Sequence, residues 1–252
     1  MGEERTILQK TSALTPPLDT FPHGAKPLNL RDSRAIHEAS PGAMSDRSLQ
    51  AQNLHLWRGD RHVLRDLSFG VEAGECLLVS GPNGTGKTSL LRTLSGLMYL
   101  EGGQVVWAGK PIRDDLHTYH GELAYIGHEP PLKLDLTATE NLRYWIGVRR
   151  RLSSRDIQGA LDRVGATRWS DRPVRTLSAG QKRRVALAGL ILMAAPLWLL
   201  DEPTTNLDTQ GQQLVSALIA DHLSGGGVAV AAIHHDLGIA APGIRRLELA
   251  GE

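Results

Sequence analysis

The sequence predicts an α/β fold built on a mostly parallel sheet, and three observations predict it. After Leu177 the pattern alternates helix, strand, helix, strand, the order that parallel strands with helical crossovers require. A glycine-rich turn, "GPNGTGKT" at 81–88, joins a short apolar strand to a stretch with helical spacing. Between roughly 129 and 175 the chain becomes helical and charged, as an inserted helical subdomain would.

Taken in order, residues 1 to about 46 mix proline, serine and both signs of charge, with Pro16, Pro17, Pro22, Pro27 and Pro41 spread through them. Such a segment lacks the apolar surface to fold, so a disordered extension is expected there, with Met44 as the natural start. The domain proper is expected over 47–252. Three apolar strands open it, "LQAQNLHLW", "VLRDLSFGV" and "ECLLVSG", each bounded by Gly, Asp or Glu. In "TSLLRTLSGL" the leucines at 90, 91, 94 and 97 share one helix face, and Gly96 is a natural stop. "GGQVVWAG" returns to strand. The charged middle reads as two or three helices, "TATENLRYWIGVRRRL" and "SRDIQGALDRVGA" among them. The run "VALAGLILMAAPLWLL" is broken by Pro196, so it reads as a buried helix followed by a buried strand. Helix "TQGQQLVSALIADHL", strand "GGVAVAAIHH" and strand "IRRLELAG" complete the chain.

Bulk properties exclude several function classes. Lys and Arg total 28 against 27 Asp and Glu, a formal charge of +1, so no general electrostatic pull toward nucleic acid exists. The single cysteine, Cys76, forbids an intrachain disulfide and any multi-cysteine metal site. Val185–Leu200 is too short for the ~18 to 20 apolar residues of a membrane span. The first residues, "MGEERTILQKTSALTPP", carry early acids and no apolar core of signal-peptide length, so a cytoplasmic protein is expected.

The chemistry concentrates at two places. In "GPNGTGKT", glycines 81, 84 and 86 let backbone N–H groups turn toward a phosphate, Lys87 supplies a cation, and Thr88 offers a hydroxyl to Mg²⁺. The helix that follows adds the positive end of its dipole. The second place is "LWLLDEP", where a buried strand ends in two acids. Asp201 is placed to hold Mg²⁺ and Glu202, one residue on, to polarise an attacking water. Glu202 also argues against a purely structural nucleotide-binding module.

A further anion-binding turn occurs in "LSAGQ", where Ser178 also suits an ordinary helix cap. Together "GPNGTGKT", "LSAGQ", "LLDEP", "TTNLD" and a histidine after a late strand resemble the ATP-binding-cassette family over residues 49 to 250. The resemblance implies a P-loop NTPase fold, a nucleotide-binding domain with a mostly parallel core, an antiparallel β edge and a helical subdomain near 129–175. It implies ATP and Mg²⁺ as cofactors, with Pro82, Asn83, Thr85 and Ser89 completing the phosphate cradle. Two protomers are expected head to tail, the turn of Ser178, Gly180 and Gln181 facing a γ-phosphate held by the other copy, and Asp208 at the seam. Glu202 is implied as general base. His234 matches a histidine that contacts the γ-phosphate, with His235 the rival one residue away; strand alternation points the two to opposite faces. Trp57 suits the aromatic that stacks on adenine, and equally a core position at a strand end. Where the family usually has glutamine, in the loop entering the helical lobe, this chain has His128.

Within the family, "YIGHEPPLKLDLTATENLRYW" and "LSAGQKRRVALAGLILMAAPLWLLDEP" resemble the ATP-binding subunits of haem-export and cytochrome c maturation systems. Glu129, Gly189 and "TTNLD" depart from that branch, which has glutamine, arginine and a less generic turn there. The resemblance implies a peripheral ATPase at the inner face of the cytoplasmic membrane, docked on integral membrane subunits. "RRR" at 149–151 is the expected docking edge or, equally, a solvated helix end. Other exporters, of drugs or lipids, and non-transport cassettes are the alternatives. The latter carry a long coiled coil or tandem cassettes, and this chain has neither.

Overall fold

The computed structural model describes residues 47–239 and 241–250. The expected extension over 1–46 and the start at Met44 lie outside the described residues. In chain order the elements are β1 (Ser48–Arg58), β2 (Arg61–Glu72), β3 (Cys76–Ser80), α1 (Lys87–Leu94), β4 (Gly102–Trp107), β5 (Lys110–Pro111), α2 (Leu116–Gly121), β6 (Leu123–Ile126), α3 (Ala138–Gly147), α4 (Ser154–Arg163), α5 (Ala179–Met193), β7 (Leu197–Asp201), α6 (Thr209–Ser224), β8 (Val228–Ala232) and β9 (Ile244–Glu248).

Five strands form an all-parallel sheet in the order β6-β7-β8-β3-β9, and four form an antiparallel sheet in the order β2-β1-β4-β5. The α/β fold with its antiparallel β part is thus as expected, the antiparallel strands forming a sheet of their own beside the parallel one. The reason lies in side-chain alternation. Strands of a two-sided buried sheet send successive residues to opposite faces. Cys76, Leu78, Leu200, Ala229 and Ala231 enter a core shared with α5 and the helical lobe. Leu77, Val79, Leu199, Val228 and Val230 enter a second core, shared with α1 and the inward residues Leu49, Leu54, Leu56 and Phe69 of the antiparallel sheet. Each face of the parallel sheet is therefore covered by a different layer. Burial between the layers pushes the Cys76 thiol up to about 12, consistent with a packing role.

Sequence reasoning passed over α2 and β6. Both are short, and four apolar residues such as "LAYI" carry no period that separates strand from helix.

The stretch 129–175 holds α3, α4 and two 3-10 turns, Thr167–Trp169 and Val174–Thr176. The helices start where their caps dictate. Thr137 with Glu140 and Ser153 with Asp156 form reciprocal capping boxes, each satisfying two otherwise unpaired N–H groups. Leu142, Ile146, Ile157 and Leu161 bury against α5. Asn141 ties the preceding loop by donating to the carbonyls of Lys133, Leu136 and Thr137.

One departure noted in the sequence finds its reason here. A Cβ on Gly189 would stand 2.2 Å from Cζ3 of Trp145, so the indole of α3 lies directly on the backbone of α5. Gly189→Ala should gain about 1 kcal/mol of helix propensity yet lose about 1–3 kcal/mol to overpacking, a net destabilisation by urea unfolding. In a Trp145→Ala background the same substitution should stabilise, because the obstructing ring is gone.

Candidate functional site

Because β3, β8 and β7 are parallel neighbours, their C-terminal ends and the loops that follow open on one edge of the sheet. The glycine loop leaves β3, the acid pair ends β7, and the two histidines follow β8. Sequence-distant groups meet there for that reason.

The loop is shaped by glycines in backbone conformations that side chains rarely adopt. Gly81, Gly84 and Gly86 have φ of 140°, 81° and 103°. A Cβ on Gly81 would come within 2.4 Å of the Leu249 carbonyl, and one on Gly86 within 2.4 Å of Val63 Cγ1. Gly86 is the N-cap of α1 with no side-chain cap, so the first-turn N–H groups remain open to an anion. Lys87 is 6% exposed and donates from Nζ to the Gly81 and Pro82 carbonyls at 2.7 and 3.0 Å. Thr85 donates to the Pro82 carbonyl at 3.0 Å and braces the same turn.

Asp201 is 1% exposed. Its Oδ1 accepts from Thr88 Oγ1 at 3.2 Å, while Oδ2 is buried with no hydrogen-bond partner among the described residues. Burial pushes this carboxyl above its ordinary range, the Thr88 bond opposing and the Glu202 charge adding. A buried carboxylate with one oxygen unsatisfied beside a threonine hydroxyl is a hard oxygen donor set, and it fits Mg²⁺.

Glu202 turns away from the strand through φ of 50°, its N–H held by the Ala232 carbonyl at 3.0 Å. Its Oε1 lies 2.5 Å from His234 Nε2; its Oε2 accepts from Thr205 Oγ1 at 3.1 Å and lies 3.4 Å from His128 Nδ1. Burial alone raises this carboxyl, but the His234 bond and charge, Thr205 and His128 together outweigh it and hold Glu202 below its usual range. It is a carboxylate able to accept a proton.

A cleft of about 670 Å³ joins these parts, lined by Asn83, Lys87, Thr88, Ser89, His128, Glu202 and His234. His235 points elsewhere, its Nε2 3.5 Å from Thr204 Oγ1. Arg58 and Arg61 also line the cleft, two residues that sequence reasoning missed because they sit in an ordinary polar hairpin turn. Trp57 stands one residue from this rim, 46% exposed, one face of its indole stacked on His62 at 4.3 Å and 5°. A core position is thereby excluded for its ring. A larger groove of about 930 Å³, between the sheet and the helical lobe, shares Arg58 and His128 with the cleft. Arg149 lines that groove and donates to the Leu123 carbonyl at 3.0 Å, so one of the three arginines at 149–151 ties the lobe to β6.

Ser178 caps α5. Its Oγ accepts from Gln181 N at 3.2 Å while Gln181 Oε1 accepts from Ser178 N at 2.9 Å. Gly180 admits the turn after Glu202: a Cβ there would lie 2.6 Å from the Asn206 carbonyl. Asp208 caps α6 through Gly211 N at 2.8 Å and pairs with Arg184 at 3.3 Å. Ser178, Gly180, Gln181 and Asp208 thus gather at one patch, and none of them lines the cleft of their own chain.

Comparison with known proteins gives three findings. Residues 64–205 match the family model described as "ABC transporter". The protein called cytochrome c biogenesis ATP-binding export protein CcmA from Yersinia pestis is 46% identical over 202 residues, 80% of this chain and 93% of that one; its namesake from Vibrio cholerae is 42% identical over 202 residues, 80% and 98%. Among solved structures, a putative ABC transporter ATP-binding protein from Pyrococcus furiosus superposes with a TM-score of 0.71 at 24% identity, covering 80% of this chain and 97% of that one.

Proposed function

The chain belongs to the ABC transporter family, as an ATP-binding, ATP-hydrolysing subunit, and from that premise we propose that it powers the export complex of cytochrome c maturation. The curated relatives carry that role in their names, and they match this chain across most of its described length. In this reading the subunit sits on the inner face of the cytoplasmic membrane, held there by integral membrane partners of the CcmB and CcmC kind. None of the helices among the described residues is long and apolar enough to cross a membrane. The groove between sheet and helical lobe is the docking face, and ATP hydrolysis drives release of a haem-loaded chaperone.

The observation that carries the hydrolytic reading is Glu202, a carboxylate at the mouth of the phosphate cleft with a histidine on each oxygen. Open N–H groups at Gly86 and beyond, with Lys87, receive the β- and γ-phosphates of ATP. Thr88 and Asp201 would hold Mg²⁺, which when bound would supply charge neutralisation to the phosphate oxygens. Glu202 takes a proton from the attacking water, and His234, already within hydrogen-bond reach, orients that carboxylate and meets the γ-phosphate. Trp57 presents its free face to adenine. Since the Ser178 turn lies outside its own cleft, the second half of each site is contributed by another copy, head to tail, with Asp208 near the seam.

Affinity-tagged full chain, solubilised from membranes, tests the assignment. Mass spectrometry is expected to find integral membrane subunits bound, and haem-loaded chaperone should leave the complex only on ATP turnover. Recovery of the chain solely from the soluble fraction, or of drug or lipid exporter subunits with it, would sink the cytochrome c reading and leave the ATPase reading intact.

A further inference from the structure

The largest fully buried side chain among the described residues is an arginine, and the mechanism above gives it no task. Arg183, in the second turn of α5, is 1% exposed. Its guanidinium forks between two successive carbonyls, Nη1 donating to Gly127 at 3.0 Å and Nη2 to His128 at 2.6 Å. Its Nε is buried with no hydrogen-bond partner among the described residues. Burying a cation with one donor unmet is costly, and an apolar side chain of similar length would fill the space at lower cost. The cost therefore points to what the fork holds.

What it holds is the backbone of the loop leaving β6, at the residue whose imidazole reaches Glu202. The His128 side chain is more than half exposed, and its contact with Glu202 is 3.4 Å. An exposed ring on a glycine-flanked loop keeps such a position only if its backbone is fixed from below. Arg183 fixes it from the same helix that Ser178 caps, so α5 carries both the Ser178 turn and the anchor of the His128 loop. Desolvation lowers the Arg183 pKa, while the charges of Asp201 and Glu202 favour its cationic form, which places the guanidinium in the field of both acids.

We propose that Arg183 is a positioning residue for hydrolysis, acting through His128 by anchoring the loop that sets this imidazole on Glu202. The proposal rests on the reading of Glu202 as general base. A double-mutant cycle in the full chain, purified with its membrane partners, tests it. Arg183→Met keeps length and packing and should lower kcat by roughly 10- to 100-fold, the scale of a small misplacement, with little change in KM for ATP. In a His128→Ala background the same substitution should cost nothing further.

An equal loss with and without His128 would mean that Arg183 merely supports the fold, and would overturn the proposal; so would an unchanged kcat in His128→Ala alone. Should Arg183→Met fail to unfold cooperatively, Arg183→Lys, which keeps charge but lacks the fork, enters the same cycle with the same two outcomes. Glu202→Gln in parallel separates the two levels. Normal turnover there sinks the general-base reading, whereas a dead Glu202→Gln with additive Arg183 and His128 losses sinks the positioning role alone.

Discussion

Glu202→Gln is expected to lower ATP turnover by roughly 10² to 10⁴, the scale of losing a general base, while nucleotide affinity stays near that of the parent. The amide keeps the shape of the carboxylate and its bonds to Thr205 and His234, so the cleft should survive. What it loses is the ability to accept a proton from water. With hydrolysis stalled and both phosphate sites filled, two copies should stay closed on their ATP. Size-exclusion chromatography with Mg²⁺ and ATP should show a dimer in this variant and a shorter-lived one in the parent. Normal turnover would remove Glu202 from the mechanism, and a strictly monomeric nucleotide-loaded variant would remove the head-to-tail arrangement.

Lys87→Ala acts on binding and not on the chemical step. The ammonium is nearly buried and already occupied by the Gly81 and Pro82 carbonyls, so it both braces the loop and waits for phosphate. Truncating one partner of a buried charged contact costs about 2–5 kcal/mol, or roughly 30- to 4,000-fold in Kd for ATP. Calorimetric titration should register that loss while thermal unfolding without nucleotide shifts far less. Unchanged affinity would show that the backbone cradle alone carries the phosphate, contrary to the role given to Lys87.

Most of the fold was legible because its signals are local. Leu90, Leu91 and Leu94 repeat at helical spacing, "CLLVS" and "VAVAA" are unbroken apolar runs, and the glycine loop needs three positive-φ positions that only its spelling supplies. The acid pair and the histidine pair are legible for the same reason, since each lies at or just after the end of a strand whose direction the alternation of elements implies, whereas which histidine reaches Glu202 is set by the fold. What stayed hidden is long-range. Nothing near Leu49 or Val71 says that β1 and β2 belong to a second sheet, because partner choice is decided across the core. His128 is legible through resemblance, but its approach to Glu202 is not, and neither is the hold on its loop by Arg183, whose sequence neighbours, Lys182 and Arg184, look like any solvated helix start. A buried arginine inside a basic triplet has no signature of its own. Thr205 is equally silent, one hydroxyl among the small polar residues of its turn.

The face on which Trp145 lies against Gly189 also bears on how such chains diverge. An indole pressed on bare backbone leaves no room for position 189 to grow alone: descendants that acquire a long side chain there in α5 must first, or simultaneously, shrink the ring at 145. Among natural variants of this chain a larger residue at 189 should therefore be found with a smaller one at 145, and a variant with tryptophan at 145 and arginine at 189 should fold less stably than this chain.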